Sequence, residues 1–112
     1  MGILMEKAWR PLTAEETSSL GGHLGVYELA NAAGEVVFVG YAGGKSLHGL
    51  RGELSALAAS NPHGATHFRA EVNMQYLSRW KELLMAHQAK DGAMPPGNRA
   101  NAPRRIGRVH LG

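Results

Sequence analysis

The sequence contains no cysteine among its 112 residues. This absence excludes a disulfide framework and a zinc site built from thiolates, and it is compatible with a reducing compartment. The chain also lacks an apolar run near the roughly 18 residues that a membrane-spanning helix requires. We therefore expect a cytoplasmic protein that does not insert into membranes. With 44% apolar and 19% charged residues, the chain has the balance of a single globular domain over residues 1–112.

Acidic residues are absent from the last part of the chain. Residues 1–91 carry eight Lys or Arg and nine Asp or Glu, whereas residues 92–112 carry four arginines and no acid. The net charge of +3 therefore arises from this C-terminal tail. Such a tail can neutralise the phosphates of a nucleic acid, although Arg-, Pro- and Gly-rich chain ends are as often simply solvated.

Turn residues divide the sequence into a short helix and a β-β-α-β-α series. Thr13-Ala-Glu-Glu16 is a capping box, in which the Thr13 hydroxyl accepts from the Glu16 amide and Glu16 reaches back. A helix is therefore predicted to about Leu20. Apolar residues alternate along predicted strands and recur every three or four positions along predicted helices. These patterns predict strands at 25–30, 36–41 and 66–74 and helices at 47–59 and 75–90.

The predicted elements suit an α+β fold, with a small three-stranded antiparallel sheet flanked by helices and followed by an irregular tail. Ser46 is the predicted N-cap of the first long helix. The residues predicted to share apolar faces are Leu50, Leu54 and Leu57 on that helix, Phe68, Ala70, Val72 and Met74 on the third strand, and Leu77, Trp80, Leu84 and His87 on the last helix.

Two short patterns suggest ligands but fail on spacing or context. The segment from Gly40 to Ser46 resembles a phosphate-binding P-loop, yet the position five before Gly44 is Val39 instead of glycine. The backbone amides of a P-loop require that glycine to reach the phosphates. His63 and His67 have the spacing of helical metal ligands, but the Pro and Gly beside them predict a loop and surface histidines.

A set of spaced residues lies between Leu24 and Arg51. Gly25-Val26-Tyr27 is followed after ten residues by Phe38-Val39-Gly40, and Arg51 lies eleven positions after Gly40. This arrangement resembles the GIY-YIG nuclease domain, in which the two tripeptides lie on adjacent antiparallel strands and an arginine lies on the following helix. The resemblance covers about residues 24–98 and leaves residues 99–112 as an Arg-rich tail.

The resemblance implies a Mg²⁺-dependent endonuclease that hydrolyses phosphodiester bonds in DNA. Glu82 would hold the metal ion, with Glu71 as the alternative ligand. Arg51 would donate a forked pair of hydrogen bonds to the scissile phosphate, and Tyr27 would position or deprotonate the attacking water. The side chains expected to contact nucleic acid are Lys45, Asn98, Arg99, Arg104 and Arg105.

The second tripeptide departs from the family pattern, because Phe38 stands where a tyrosine is expected. A phenyl ring neither donates nor accepts a hydrogen bond, and losing such a group costs about 2–4 kcal/mol of activation free energy. Two side chains are candidates to replace the hydroxyl. Tyr41 requires a bulge at Gly40 to turn it to the other face of the strand, whereas His48, on the first turn of the arginine helix, offers an imidazole, a group that in general titrates near neutral pH.

Three functions therefore stay open at this point. The first is an active endonuclease, as a monomer or a homodimer. The second is a GIY-YIG-like module that binds nucleic acid or protein without cleaving. The third and remotest is a small ligand-binding α+β domain.

Overall fold

A computed structural model describes residues 3–99 and contains one four-stranded antiparallel sheet with helices on both faces. The α+β class predicted from the sequence is confirmed. Within these residues, no helix is both long and apolar enough to cross a membrane. The elements in chain order are β1 (Arg10–Pro11), α1 (Ala14–Ser18), β2 (Gly25–Ala30), β3 (Val36–Ala42), α2 (Gly49–Ser60), β4 (His67–Val72) and α3 (Tyr76–Asp91).

The sheet has the strand order β1-β4-β2-β3, so the prediction of three strands was wrong by one. The additional strand, β1, pairs with the start of β4 and contains two residues. A segment this short shows no alternation of apolar and polar residues, and so its sequence carries no strand signal. In the β2–β3 hairpin, Tyr27 lies opposite Gly40 and Leu29 lies opposite Phe38.

Local contacts set where the first two helices begin. As predicted, the Thr13 hydroxyl accepts a hydrogen bond of 3.1 Å from the Glu16 amide at the start of α1. The Glu16 carboxylate does not reach back as expected, because it pairs with Arg10 at 2.7 Å. Helix α2 begins at Gly49, two residues later than predicted, and His48 replaces Ser46 as its N-cap.

An apolar layer lies on each face of the sheet. On one face, Tyr27 and Leu29 of β2 pack with Leu54 of α2. On the other face, Val26 packs with Leu83 of α3. Because β2 is central, all six of its residues are buried. Three residues that were predicted to face the interior are exposed instead. Val72 (60% exposed) and Met74 (74%) lie where β4 ends and the chain leaves the sheet, and Leu77 (45%) lies in the first turn of α3.

The open edge of β3 is covered by one side chain from α3 and one from the segment that follows it. Trp80 Nε1 donates to the Val39 carbonyl oxygen at 2.9 Å. The Asn98 amide bonds the same residue twice, accepting from the Val39 N–H at 2.8 Å and donating to its carbonyl at 2.9 Å. These contacts satisfy backbone groups that an edge strand otherwise offers to another chain.

Candidate functional site

Tyr27 lies in the apolar layer beneath α2, with only 4% of its surface exposed. Its ring covers Gly40, where any side chain would collide with the tyrosine ring and hydroxyl. Burial raises the pKa of Tyr27 far above its ordinary value of 10, and the charge of Glu53 raises it further. The hydroxyl therefore stays protonated at neutral pH. It can donate a hydrogen bond to a ligand, but it is not a base that deprotonates water.

The Phe38 ring packs against two other aromatic rings, those of Tyr27 and His63. Its ring centroid lies 6.2 Å from that of Tyr27, and it stacks on His63 at 4.3 Å with an angle of 12° between the ring planes. Burial lowers the pKa of His63, which is half-buried against this stack instead of lying free on the surface as predicted. The expected second tyrosine is thus replaced by an aromatic stack that has no hydroxyl at this position.

Neither proposed substitute joins Tyr27. Tyr41 lies on the opposite face of β3, where its ring contacts Tyr76 at 5.6 Å and Trp80 at 5.2 Å. The bulge that would re-aim it is absent, because the hairpin's register shift lies at Leu29/Ala30 and not at Gly40. His48 is exposed at the N-cap of α2, with a left-handed backbone at φ 66° and no capping hydrogen bond from its side chain.

Basic side chains cluster where the chain enters α2. Lys45, His48 and Arg51 are all exposed, and within residues 3–99 none of them pairs with a carboxylate. We call these three residues the α2 entry surface. Among residues 3–99, the Arg51 side chain makes only one hydrogen bond, a long one of 3.5 Å from Nη1 to the Leu20 carbonyl oxygen. The Leu50 amide already donates to the His23 carbonyl, so an anion here would be held by side chains.

The expected metal ligand lies on the other side of the sheet. Arg79 of α3 pairs with Glu82 at 2.6 Å and with Glu71 of β4 at 2.9 Å. Glu71 sits beside Val26 in the β2–β4 ladder, and Val26 packs against α3. The two glutamates therefore lie on the face opposite Tyr27. No group of three His, Asp or Glu side chains in the described part of the chain could hold a metal ion.

The Arg79 contacts also determine the charge state of Glu71. Burial raises the pKa of Glu71, but hydrogen bonds from Arg79 and Asn73 and the nearby positive charges outweigh burial, and the net pKa is lowered. Glu71 is thus held ionised by the Arg79 guanidinium, with which Glu82 also pairs. A divalent cation would have to compete with that guanidinium for their oxygens.

The carboxylate that does lie on the Tyr27 side was missed from the sequence. It belongs to Glu53, which is half-buried on α2 and accepts a hydrogen bond of 2.9 Å from the Ser46 hydroxyl. Ser46 also accepts from the Gly43 amide at 3.0 Å. The available signal was the position of Glu53 three residues after the buried Leu50, which places it beside the inner face of the helix.

The other residues predicted to contact nucleic acid are Asn98, Arg99, Arg104 and Arg105. Asn98 is buried, and its amide bonds the edge of β3, so in this structure it does not face a nucleic acid. Arg99 is exposed, and its Nε donates to the Met94 carbonyl at 2.8 Å. Arg104 and Arg105 lie outside the described residues.

A family model described as a domain of unknown function (DUF7508) matches residues 3–90, which is most of the chain. No curated protein matches the sequence.

Proposed function

We propose that this chain, which belongs to the DUF7508 family, is a GIY-YIG-like domain that binds DNA without cleaving it. One observation carries the proposal. Glu82, the side chain expected to hold Mg²⁺, is paired with Arg79 on the sheet face opposite Tyr27. The groups that would cleave a phosphodiester are thus separated, while the basic groups that would contact phosphates stay exposed.

The order of the elements supports the GIY-YIG-like part of the proposal. An antiparallel hairpin carries the two tripeptides on adjacent strands, and a helix bearing Arg51 follows it directly. Within the hairpin, the Tyr27 ring of the first tripeptide packs closely over Gly40 of the second. This packing is structural, and it does not depend on catalysis.

Three features support binding without hydrolysis. Phe38 provides no second hydroxyl, the Tyr27 hydroxyl stays protonated, and Glu82 is held by a guanidinium. Each missing interaction in such a site costs about 2–4 kcal/mol of activation free energy. Two of them together would slow the reaction by roughly a thousandfold or more.

The α2 entry surface supports the DNA-binding part. Each side chain that neutralises a phosphate releases condensed counterions, so the slope of log K against log salt changes by about 0.9 per contact. Lys45 and Arg51 at this surface are positive at neutral pH, and His48 adds charge only when protonated. We therefore expect a slope near −2 from this surface alone, which corresponds to weak binding that falls roughly 60-fold between 25 and 200 mM salt.

Fluorescence anisotropy with a labelled 20-base-pair duplex, measured between 25 and 200 mM KCl, tests the binding. Arg51→Gln should weaken binding and reduce the salt slope by about 0.9. Lys81→Gln is the matched control, because Lys81 is exposed on α3 and pairs with no carboxylate within residues 3–99. Binding that ignores salt, or an equal effect of both variants, would refute the proposal.

A plasmid-nicking assay with Mg²⁺ tests the absence of cleavage. Wild-type protein and the Phe38→Tyr variant should both leave the plasmid intact, since a restored hydroxyl does not bring Glu82 to the Tyr27 side. Nicking by the wild type that Glu82→Ala abolishes would overturn the proposal in favour of an active nuclease. Nicking lost in Glu53→Gln would overturn it too, and would identify Glu53 as the catalytic carboxylate.

A further inference from the structure

Three aromatic side chains form a cluster on the side of β3 that faces α3. The Tyr41 ring lies 5.6 Å from that of Tyr76, with 25° between the ring planes, and 5.2 Å from that of Trp80, with 68° between the planes. We call these three residues the aromatic cluster. Tyr41 keeps 37% of its surface exposed, and the other two are half-buried. The cluster therefore presents aromatic surface to solvent.

Two members of the aromatic cluster are used in hydrogen bonds that hold the fold. Trp80 covers the edge of β3 through its Nε1, and the Tyr76 hydroxyl accepts from the Gly44 amide at 3.1 Å. The Tyr41 hydroxyl makes no hydrogen bond within residues 3–99. Edge protection and loop docking thus use Tyr76 and Trp80, whereas Tyr41 combines an exposed ring with a hydroxyl that no described residue binds.

The aromatic cluster adjoins the α2 entry surface. Gly44, which donates to Tyr76, directly precedes Lys45 of that surface. Lys45 is exposed and pairs with no carboxylate within residues 3–99. The Glu53 carboxylate, which also contacts this loop, belongs to α2 on the opposite face of the sheet. A strand with a phosphate at Lys45 would therefore run beside the aromatic cluster.

The acids that contact α3 near the aromatic cluster lie on another side of that helix. Glu71 and Glu82 both pair with Arg79. Because successive helical residues are rotated by about 100°, the Arg79 side chain leaves the helix in a different direction from that of Trp80. The two carboxylates are thus neutralised by a guanidinium and directed away from the aromatic surface, and so they do not repel a phosphate backbone there.

We infer that the aromatic cluster stacks on unpaired bases, so that the α2 entry surface prefers DNA with unpaired nucleotides to continuous duplex. This inference rests on the proposed DNA binding and specifies the kind of DNA that is bound. Proteins that bind single strands combine basic groups along the backbone with aromatic rings that stack on successive bases. A base inside a duplex is covered on both faces by its neighbours, whereas an unpaired base can stack on the exposed Tyr41 ring.

Fluorescence anisotropy with three labelled DNAs tests the inference. Each has the same 20-base-pair duplex, which is blunt in the first and ends in a fork of three unpaired nucleotides per strand in the second. The third has the same fork built from abasic nucleotides. The forked DNA should bind about tenfold more tightly than its abasic counterpart, because the phosphates are equal and only the bases differ. Stacking releases no counterions, so this ratio should be the same at 25 and 200 mM KCl.

Variants of Tyr41 assign the preference to its ring. Tyr41→Leu should abolish the difference between the two forks, whereas Tyr41→Phe, which keeps the ring, should retain it. Both variants should bind the blunt duplex as the wild type does, which shows that they are folded. Met85→Ala is the matched control and should keep the preference, since Met85 is 69% exposed and lies about 140° around α3 from Trp80. Arg51→Gln should weaken binding of all three DNAs equally.

Equal affinity for the two forks, with salt-dependent binding of the blunt duplex, would overturn the stacking inference and leave the proposed DNA binding intact. A Tyr41→Leu variant that keeps the preference would also overturn it. Absence of binding to all three DNAs would overturn both proposals. Sedimentation equilibrium tests a different occupant, because a wild-type dimer that Tyr41→Leu converts to a monomer would show that the aromatic cluster contacts a second copy of the chain instead of bases.

Discussion

Removing either member of the buried Glu28–Arg69 pair should destabilise the protein by unequal amounts. Glu28 is 0% exposed at its side chain, whereas Arg69 is 15% exposed and also stacks over Trp9 at 4.2 Å. Breaking a buried pair by removing one partner costs about 3–5 kcal/mol. In Glu28→Leu the arginine keeps its stack and some water, so we expect about 3 kcal/mol. In Arg69→Met the carboxylate stays fully buried, so we expect about 5 kcal/mol.

The double variant Glu28→Leu/Arg69→Met distinguishes a charge pair from a simple loss of volume. Once both partners are apolar, neither charge of the pair is left buried and uncompensated, and the lost bond between Glu28 and His87 Nε2 is common to Glu28→Leu and the double variant. Its cost should therefore be lower than the sum of the single costs by about 2 kcal/mol or more. Urea unfolding at pH 7, followed by circular dichroism, measures these differences as shifts of the midpoint at constant slope.

The surface pair Arg10–Glu16 provides the control. Its side chains are 37% and 35% exposed, and Glu16→Gln should cost less than about 1 kcal/mol. If the double variant costs as much stability as the two single variants together, or if Glu28→Leu is as stable as the wild type, then the Glu28–Arg69 pair does not stabilise the fold.

Three further perturbations follow from other contacts. Gly40→Ala should cost about 1–3 kcal/mol because its methyl group would collide with the Tyr27 ring; adding Tyr27→Leu should recover part of that loss in urea unfolding, and no recovery would contradict the packing described. Asn98→Ala removes both side-chain bonds to Val39, so hydrogen exchange of the Val39 amide should accelerate, and an unchanged rate would show that the edge is protected otherwise. The lowered pKa of Glu71 gives stability that is present above its unfolded pKa and lost as pH falls through the folded value; Glu71→Gln should flatten the acid side of a stability–pH curve, and an unchanged curve would contradict this.

Much of the fold follows from local patterns. The bounds of β2 agree with the prediction residue for residue, and those of β3 and α3 agree within one, since each carries its own apolar period. Alternation also places Tyr41 on the strand face opposite Phe38. Local preference failed at the start of α2, where Ser46 is a good cap by type. Its hydroxyl instead accepts a hydrogen bond from the Gly43 amide and donates one to Glu53. The capping propensity of serine predicts neither bond.

The candidate site was harder to predict, because the order of residues along the chain does not reveal which face of a sheet they occupy. Glu82 follows the hairpin and Arg51 in the order that the GIY-YIG resemblance requires, yet α3 packs on the other face of the sheet. The GIY-YIG assignment itself stays a prediction. Whether the chain cuts DNA depends on a distance that sequence order cannot supply.

The sequence by itself determined the α+β class, the hairpin with Tyr27 and Gly40, and the exposed basic residues before and within α2. These follow from periodicity, turn residues and charge, which act between near neighbours. Only the tertiary structure decided the partners of Glu28, Glu71 and Asn98, because each of these side chains bonds with a residue from a different element. Packing between distant parts of the chain brings these partners together. It also places Glu82 on the sheet face opposite Tyr27, although the predicted site includes both residues.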